Sequence, residues 1–293
     1  MSLSIQSNAA SLSIQNQLNR TNSALSTALE RLGSGYRINS AKDDAAGLQI
    51  ANRLNAQATG QKAAIYNANN AQSMMQTAEG AFEEMTNIAN RMKELATQGA
   101  NGTNSTSEYT AMDSEYQALA EQMASIMSNT SFGAGTKLLA GTDSKFSDTN
   151  GITFQVGAST AETLKVDVST EVGAVNTAVG SVDAAGAYTA GTLGDLTTQT
   201  ASSTAIGKID TLIDNIGAAR SALGANMNRL DHTINNVTNM KENTEAASSN
   251  LMDADYAAET SSMTKQQLLM NSGVSVLSVS NSTTSMIASL LRG

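Results

Sequence analysis

The sequence contains no proline, no cysteine and no tryptophan among its 293 residues, and aromatic side chains make up only 3% of it. Without proline, nothing of the kind that most reliably interrupts a helix interior is present, so long unbroken helices are permitted. Without cysteine there are no disulfides and no thiol chemistry, and the compartment is left open. The scarcity of rings argues against a broad core built on bulky side chains. Apolar burial falls instead to Leu, Ile, Val, Ala and 14 Met, which favours slender helix-on-helix packing. Basic residues are also short, 17 Lys and Arg against 26 Asp and Glu, a net charge of −9. That balance excludes a nucleic-acid footprint, which needs clustered cations, and disfavours an anionic membrane surface. The N-terminus Met1-Ser2-Leu3-Ser4-Ile5-Gln6 has neither a basic nor an apolar signal region. No apolar run approaches the ~20 residues of a spanning helix. Two readings remain: a cytosolic chain, or one exported without a cleaved signal.

Chemistry-bearing constellations are equally sparse. His232 is the only histidine and reads as an ordinary helical residue. Asp43 with Asp44, and Asp253 with Asp255, read as helix-start charges facing the positive end of a dipole rather than as cation sites. Gly133-Ala134-Gly135-Thr136-Lys137 lacks the full spacing of a phosphate loop. Met75, Met85 and Met92 read as core rather than as a soft binding surface. No catalytic residue, metal site or cofactor is expected.

Periodicity is what the chain does have. Ile14, Leu18, Thr21, Leu25, Ala28 and Leu32 recur at steps of four and three, a coiled-coil seam that predicts a helix over 3–32. Gly33-Ser34-Gly35 ends it. Ser40 stands three residues before Asp43, a capping-box spacing, and predicts a second helix running to about Gln98. A third helix fits 106–129. The alternation at 152–156 and at 164–168 predicts two strands with a loop between them. Residues 170–204, rich in Ala, Gly, Thr and Ser, read as loop. Helical pattern resumes near Ala205 and runs to about Asn243, and a last helix runs from about 250 to the end. Its seam reads Met263, Gln267, Met270, Val274, Leu277, Asn281, Thr284, Ala288, Leu291. The fold class is therefore mainly α, with a small central β region. Polar interruptions in both terminal seams make the terminal helices marginal alone, and built to pack with each other and with further copies.

Several segments resemble the bacterial flagellin family. They are Arg31-Leu32-Gly33-Ser34-Gly35-Tyr36-Arg37-Ile38-Asn39-Ser40-Ala41-Lys42-Asp43-Asp44-Ala45-Ala46-Gly47-Leu48, then Asn90-Arg91-Met92-Lys93-Glu94-Leu95-Ala96, then Asp253-Ala254-Asp255-Tyr256-Ala257-Ala258-Glu259-Thr260 with Thr264-Lys265-Gln266, and the final Leu290-Leu291-Arg292. Two features depart from the family pattern. Phe132-Gly133-Ala134 stands where Phe-Asn-Gly is usual, and the last helix carries no proline.

The resemblance implies an elongated helical bundle with a terminal coiled coil. It assigns residues 1–44 and 251–293 to the coiled-coil domain and 45–250 to a helical domain with a β-hairpin, with 169–204 as a loop or vestigial insert. It implies a structural subunit of the extracellular flagellar filament, used for motility and leaving through the flagellum's own type III export apparatus; a hook–filament junction protein of the same superfamily is the alternative. The implied assembly seam is Ile14, Leu18, Leu25, Leu32, Met263, Met270, Val274, Leu277 and Leu291. The implied partners are further copies in a helical homopolymer, a flagellar export chaperone, filament cap and hook–filament junction proteins, and the animal Toll-like receptor for flagellin through Arg91, Leu95 and Glu115. No nucleic acid and no membrane is among them.

Overall fold

The computed structural model describes residues 8–141, 144–182 and 187–290, with backbone alone at 284, 285 and 287–290. Six helices are described: α1 (Ala9–Ser34), α2 (Ala45–Gly99), α3 (Thr106–Asn129), α4 (Ser169–Val179), α5 (Gln199–Met252) and α6 (Tyr256–Leu290). Three two-stranded antiparallel hairpins accompany them: β1 (Ser131–Phe132) with β2 (Thr136–Lys137), β3 (Ile152–Gln155) with β4 (Thr163–Val166), and β5 (Gly180–Val182) with β6 (Tyr188–Ala190). The chain divides into two compact units, Met1–Gln57 with Glu242–Gly293, and Ala58–Lys241. The divisions fall inside α2 and α5.

The larger unit is built on α2 and α5. Ala64, Ala68, Ala71, Met75, Ala78, Phe82, Met85, Ala89, Met92 and Ala96 are buried along α2 at alternating steps of four and three. Ala205, Ile209, Leu212, Ile216, Ala219, Leu223 and Leu230 do the same along α5. That alternation keeps one apolar stripe facing a partner helix. Polar ties at their flanks fix an antiparallel register: Gln72 Nε2 donates to Asp231 Oδ1 at 3.0 Å, Arg220 grips Glu79 at 2.8 and 2.9 Å, and Lys93 pairs with Asp210. Gln61 interrupts the α2 stripe. It is 1% exposed, and neither end of its carboxamide meets a hydrogen-bond partner.

Helix α3 begins at a full capping box. Ser105 Oγ accepts from the Glu108 N–H while Glu108 Oε2 accepts from the Ser105 N–H, which satisfies two orphan helix donors. Those bonds hold the Glu108 carboxyl below its ordinary range. The strands at 152–155 and 163–166 match the expected alternation, with Ile152 opposite Val166 and Phe154 opposite Leu164.

Residues 169–204 are not the expected loop. Val172, Val175 and Val179, at helical spacing, bury one side of α4; the β5–β6 hairpin follows, and α3 packs against all three elements. Tyr116 Oη donates to the Leu193 carbonyl at 3.4 Å, and Asp113 Oδ1 accepts from the Leu196 N–H at 2.8 Å. Burial raises the Tyr116 phenol well above its ordinary range. Apolar side chains scattered among Ala, Gly and Thr thus fold because a neighbouring helix supplies the face they lack. Helix α5 also begins at Gln199 and ends at Met252, longer at both ends than its apolar pattern implies.

Many surface hydroxyls on these helices bond to their own backbone. Ser23, Thr27, Ser73, Thr77, Thr97, Thr110, Ser114, Thr211, Thr233, Thr260 and Thr264 each donate to the carbonyl four residues back, at 2.6–3.1 Å.

Candidate functional site

In the smaller unit α1 and α6 pair antiparallel. Asn8 caps α1 through Oδ1, which accepts from the Ser11 N–H at 3.1 Å. Asn8 Nδ2 also donates to the Ser280 hydroxyl at 3.2 Å, and Ser11 Oγ donates to Asn281 Oδ1 at 3.2 Å. At the other end Arg31 Nη1 meets Glu259 Oε1 at 2.9 Å, with both side chains partly buried. The inner stripe of α1 is Ser11, Ile14, Leu18, Thr21, Leu25, Ala28 and Leu32, of which Thr21, Leu25 and Ala28 are buried and the rest half-buried.

The facing stripe of α6 is Glu259, Met263, Gln266, Met270, Gly273, Leu277 and Ser280, again at steps of four and three. It corrects the seam read from the sequence at Gln267 and Val274. Val274 is 56% exposed and Gln267 is exposed too, and Gln266 and Gly273 take the inner positions; at the far end Ser280 is half-buried, while Asn281 is exposed and still reaches Ser11 across the pair. The physical reason is steric. A Cβ on Gly273 would lie 2.7 Å from Leu18 Cδ2, so the helices meet here by placing Leu18 over a residue with no side chain. Choosing apolar Val274 over adjacent Gly273 displaces alternate positions of the stripe by one residue, while Met263, Met270 and Leu277 keep theirs. Leu291 lies outside the described residues, as do the side chains of Thr284, Ile287 and Leu290.

Outside this seam the pair carries Leu12 and Leu29 on α1, and Leu268, Leu269, Val276 and Val279 on α6, all exposed. Single exposed apolar residues are ordinary on a soluble surface. Rows of them on both helices of one pair mark a surface made for contact.

Both terminal helices join their long neighbours through short breaks. Gly35, left-handed at φ 78°, closes α1 by donating to the Arg31 carbonyl at 2.8 Å. The start of α2 differs from the sequence reading: Ser40 does not cap it. Asp43 Oδ2 accepts from the N–H groups of Asn39 and Ser40, at 3.2 and 2.9 Å, and from Ser40 Oγ, forming a tight turn. These bonds draw the Asp43 carboxyl below its ordinary range. Asp44 is the cap, its Oδ1 accepting from the Gly47 N–H at 2.8 Å. Asp255 opens α6, accepting from the Ala257 and Ala258 N–H groups.

The three residues implied for receptor contact part company. Arg91 and Glu115 come together on the surface of the larger unit: Arg91 Nε and Nη2 donate to Glu115 Oε1 at 2.9 and 2.7 Å, and Nη1 donates to Glu94 Oε2 at 2.6 Å. Bonds to Glu115 first, then Glu94, raise the guanidinium further above its already high range. Leu95 is 2% exposed and belongs to the apolar core. Position 95 lies beside Met92 and Ala96 on the side of α2 that faces into the unit. Glu94, quoted within the motif but given no role in the sequence reading, completes the surface cluster; its position three residues from Arg91 was the available signal. Among the described residues there is no cluster of His, Asp or Glu able to hold a metal, and no helix is long and apolar enough to cross a membrane.

Comparison with known proteins agrees along the chain. Residues 5–144 match the bacterial flagellin N-terminal helical region, and residues 206–291 match the bacterial flagellin C-terminal helical region. Flagellin A of Vibrio anguillarum is 34% identical over 386 aligned positions, covering 100% of both chains. Flagellin A of Vibrio cholerae is 32% identical over 386 positions, also covering 100% of both. These alignments are longer than the 293 residues here, so the relatives carry segments that this chain lacks. A solved chain assigned as a flagellar hook-associated protein of Vibrio parahaemolyticus shares the fold, with a TM-score of 0.55 and 16% identity over 72% of this chain and 100% of that one. Its likeness is one of fold alone, whereas the likeness to flagellins is one of sequence from end to end. The chain belongs to the bacterial flagellin family, as a short form without a large outer domain.

Proposed function

We propose that this chain is the structural subunit of a flagellar filament, assembling by self-association outside the cell. The observation that carries the reading is the α1–α6 pair: an inner seam whose apolar residues are interrupted by small and polar ones, and an exposed surface that carries Leu12, Leu29, Leu268, Leu269, Val276 and Val279. Such a pair gains little by closing alone and much by packing against other copies. Flagellins are a structural family rather than an enzyme family, and assembly requires geometry, not chemistry. The test is to heat and cool the purified chain, add filament seeds and examine the product by electron microscopy. Growth should show a critical concentration; a chain that stays monomeric at every concentration with competent seeds is not a filament subunit.

Finer readings extend from this. The α1–α6 pair is the core-lining domain and α2, α3 and α5 the surrounding one. Export proceeds by the flagellar type III route. Before export, a small helical chaperone covers the apolar faces of α6, and cap and junction proteins bound the finished polymer. An animal Toll-like receptor reads the charged cluster of Arg91 and Glu115, with Leu95 acting by packing the helix that presents Arg91. Deleting residues 255–293 should abolish chaperone co-purification and polymerisation together; undiminished chaperone binding would move its site elsewhere.

A further inference from the structure

The two breaks, 35–44 and 253–255, are joined to each other. Tyr36 and Asp253 form an antiparallel bridge. The Arg37 N–H donates to the Met252 carbonyl at 2.6 Å, and the Ala254 N–H donates to the Gly35 carbonyl at 2.9 Å. Arg37 Nη2 reaches the Leu251 carbonyl at 2.8 Å. In return Tyr256 Oη donates to the Leu32 carbonyl in the last turn of α1, at 3.2 Å. Each helix end thus has its orphan carbonyls satisfied by the segment that leads into the other pair. Nearby, Ser248 Oγ donates to Asn55 Oδ1 at 3.0 Å, tying the end of α5 to the start of α2.

We propose that this reciprocal clasp is where the α1–α6 pair nucleates, and that Arg37 is its positioning residue. Pairing two helices requires their ends to be brought together before any seam contact forms, and the first turn is the unfavourable one. The clasp places Leu32 and Arg31 beside Glu259, the first layer of the seam. From there the pair closes outward through Ala28 and Met263, Leu25 and Gln266, and on to Leu18 over Gly273. The middle of the seam is the poorer starting point, because Thr21, Gln266 and Gly273 interrupt its apolar area there. Arg37 suits the task by chemistry: its charge meets the negative end of a 54-residue helix, and its backbone and guanidinium serve two successive terminal carbonyls. Its side chain is exposed, so its removal leaves both apolar cores intact.

The assembly arm of the test rests on the filament-subunit reading; the exchange arm does not. In the full-length monomer, the amides of Arg37 and Ala254 should exchange at least fivefold more slowly than those of Leu18 and Met270. Arg37→Ala should erase that difference and slow seeded elongation at least fivefold, with the melting of Ala58–Lys241 unchanged. Arg37→Lys, which keeps the charge but not the fork, should fall between. Clasp amides exchanging as fast as mid-seam amides in the wild type, or Arg37→Ala elongating at the wild-type rate, would overturn the proposal. Wild-type monomer that exchanges as described yet never elongates seeds would instead remove the filament reading and leave the clasp standing.

Discussion

Replacing Leu25 by alanine strikes the best-buried large side chain of the terminal seam. Leu25 is 8% exposed, between the buried Thr21 and Ala28, neither of which is large enough to fill the gap its truncation leaves. The lost transfer energy and the residual cavity together cost about 2–3 kcal/mol, toward the lower end of the range for buried leucines because the site lies near the surface. If that loss falls wholly on the assembled state, the critical concentration rises roughly thirty- to a hundredfold, since about 1.4 kcal/mol is a factor of ten. Pelleting assays across a concentration series would measure it directly. Leu29→Ala is the companion: Leu29 is exposed on the outer face of α1. It should leave amide exchange within the α1–α6 pair unchanged while still raising the critical concentration, because its contact lies with a neighbouring copy. A critical concentration unchanged in Leu25→Ala would show that the seam contributes nothing to assembly. A companion that loosens the pair itself would show that the two faces have been exchanged.

Four further outcomes test individual side chains. Arg91→Ala should weaken receptor activation by monomer at least tenfold, about 1.4 kcal/mol, with the melting temperature within a degree or two of wild type. Leu95→Ala should instead lower stability by about 2–4 kcal/mol; a Leu95→Ala chain of wild-type stability and lost activation would return Leu95 to the contact surface. Gln61→Met removes an unpaired buried carboxamide and should stabilise Ala58–Lys241 by about 1–3 kcal/mol in a calorimetric melt; a lower melting temperature would mean that the amide is satisfied. Asp43, whose carboxyl is depressed by the Ser40 and Asn39 bonds, contributes stability that is present above the ordinary aspartate range and lost as pH falls through the depressed value. Amides of residues 39 and 40 should therefore exchange faster below about pH 4 after correction for intrinsic rates, and Asp43→Asn should flatten that dependence.

Heptad spacing made α1 and its seam legible, and alternation made the β3–β4 hairpin legible, because in both the apolar residues are large and the polar ones frame them. The α2 stripe was legible only through its methionines and occasional larger residues. Half of that stripe is alanine, which leaves almost no hydropathy signal although it buries fully and lets helices approach closely. The same blindness displaced part of the α6 stripe, where a glycine holds an inner position and valine an outer one. Residues 169–204 failed for a different reason: three valines on α4 gain their meaning from α3, more than forty residues earlier in the chain. The burial of Leu95 was not legible, because a motif gives the neighbours of a residue along the chain but not the side of the helix it occupies.

The hydroxyls that bond to their own helices bear on what a polymer of this chain would tolerate. A serine or threonine whose proton is already held by a carbonyl four residues back has no donor left for water and keeps only the acceptor capacity of its oxygen, so covering it costs less desolvation than covering a free hydroxyl. Surfaces built this way can dry against one another without matching charges. Only 15% of the residues are charged, so few contacts would depend on ion pairs that salt screens. A fibre joined through such faces would keep its cohesion from fresh water to brine, where one stitched by surface ion pairs would loosen as ionic strength rose.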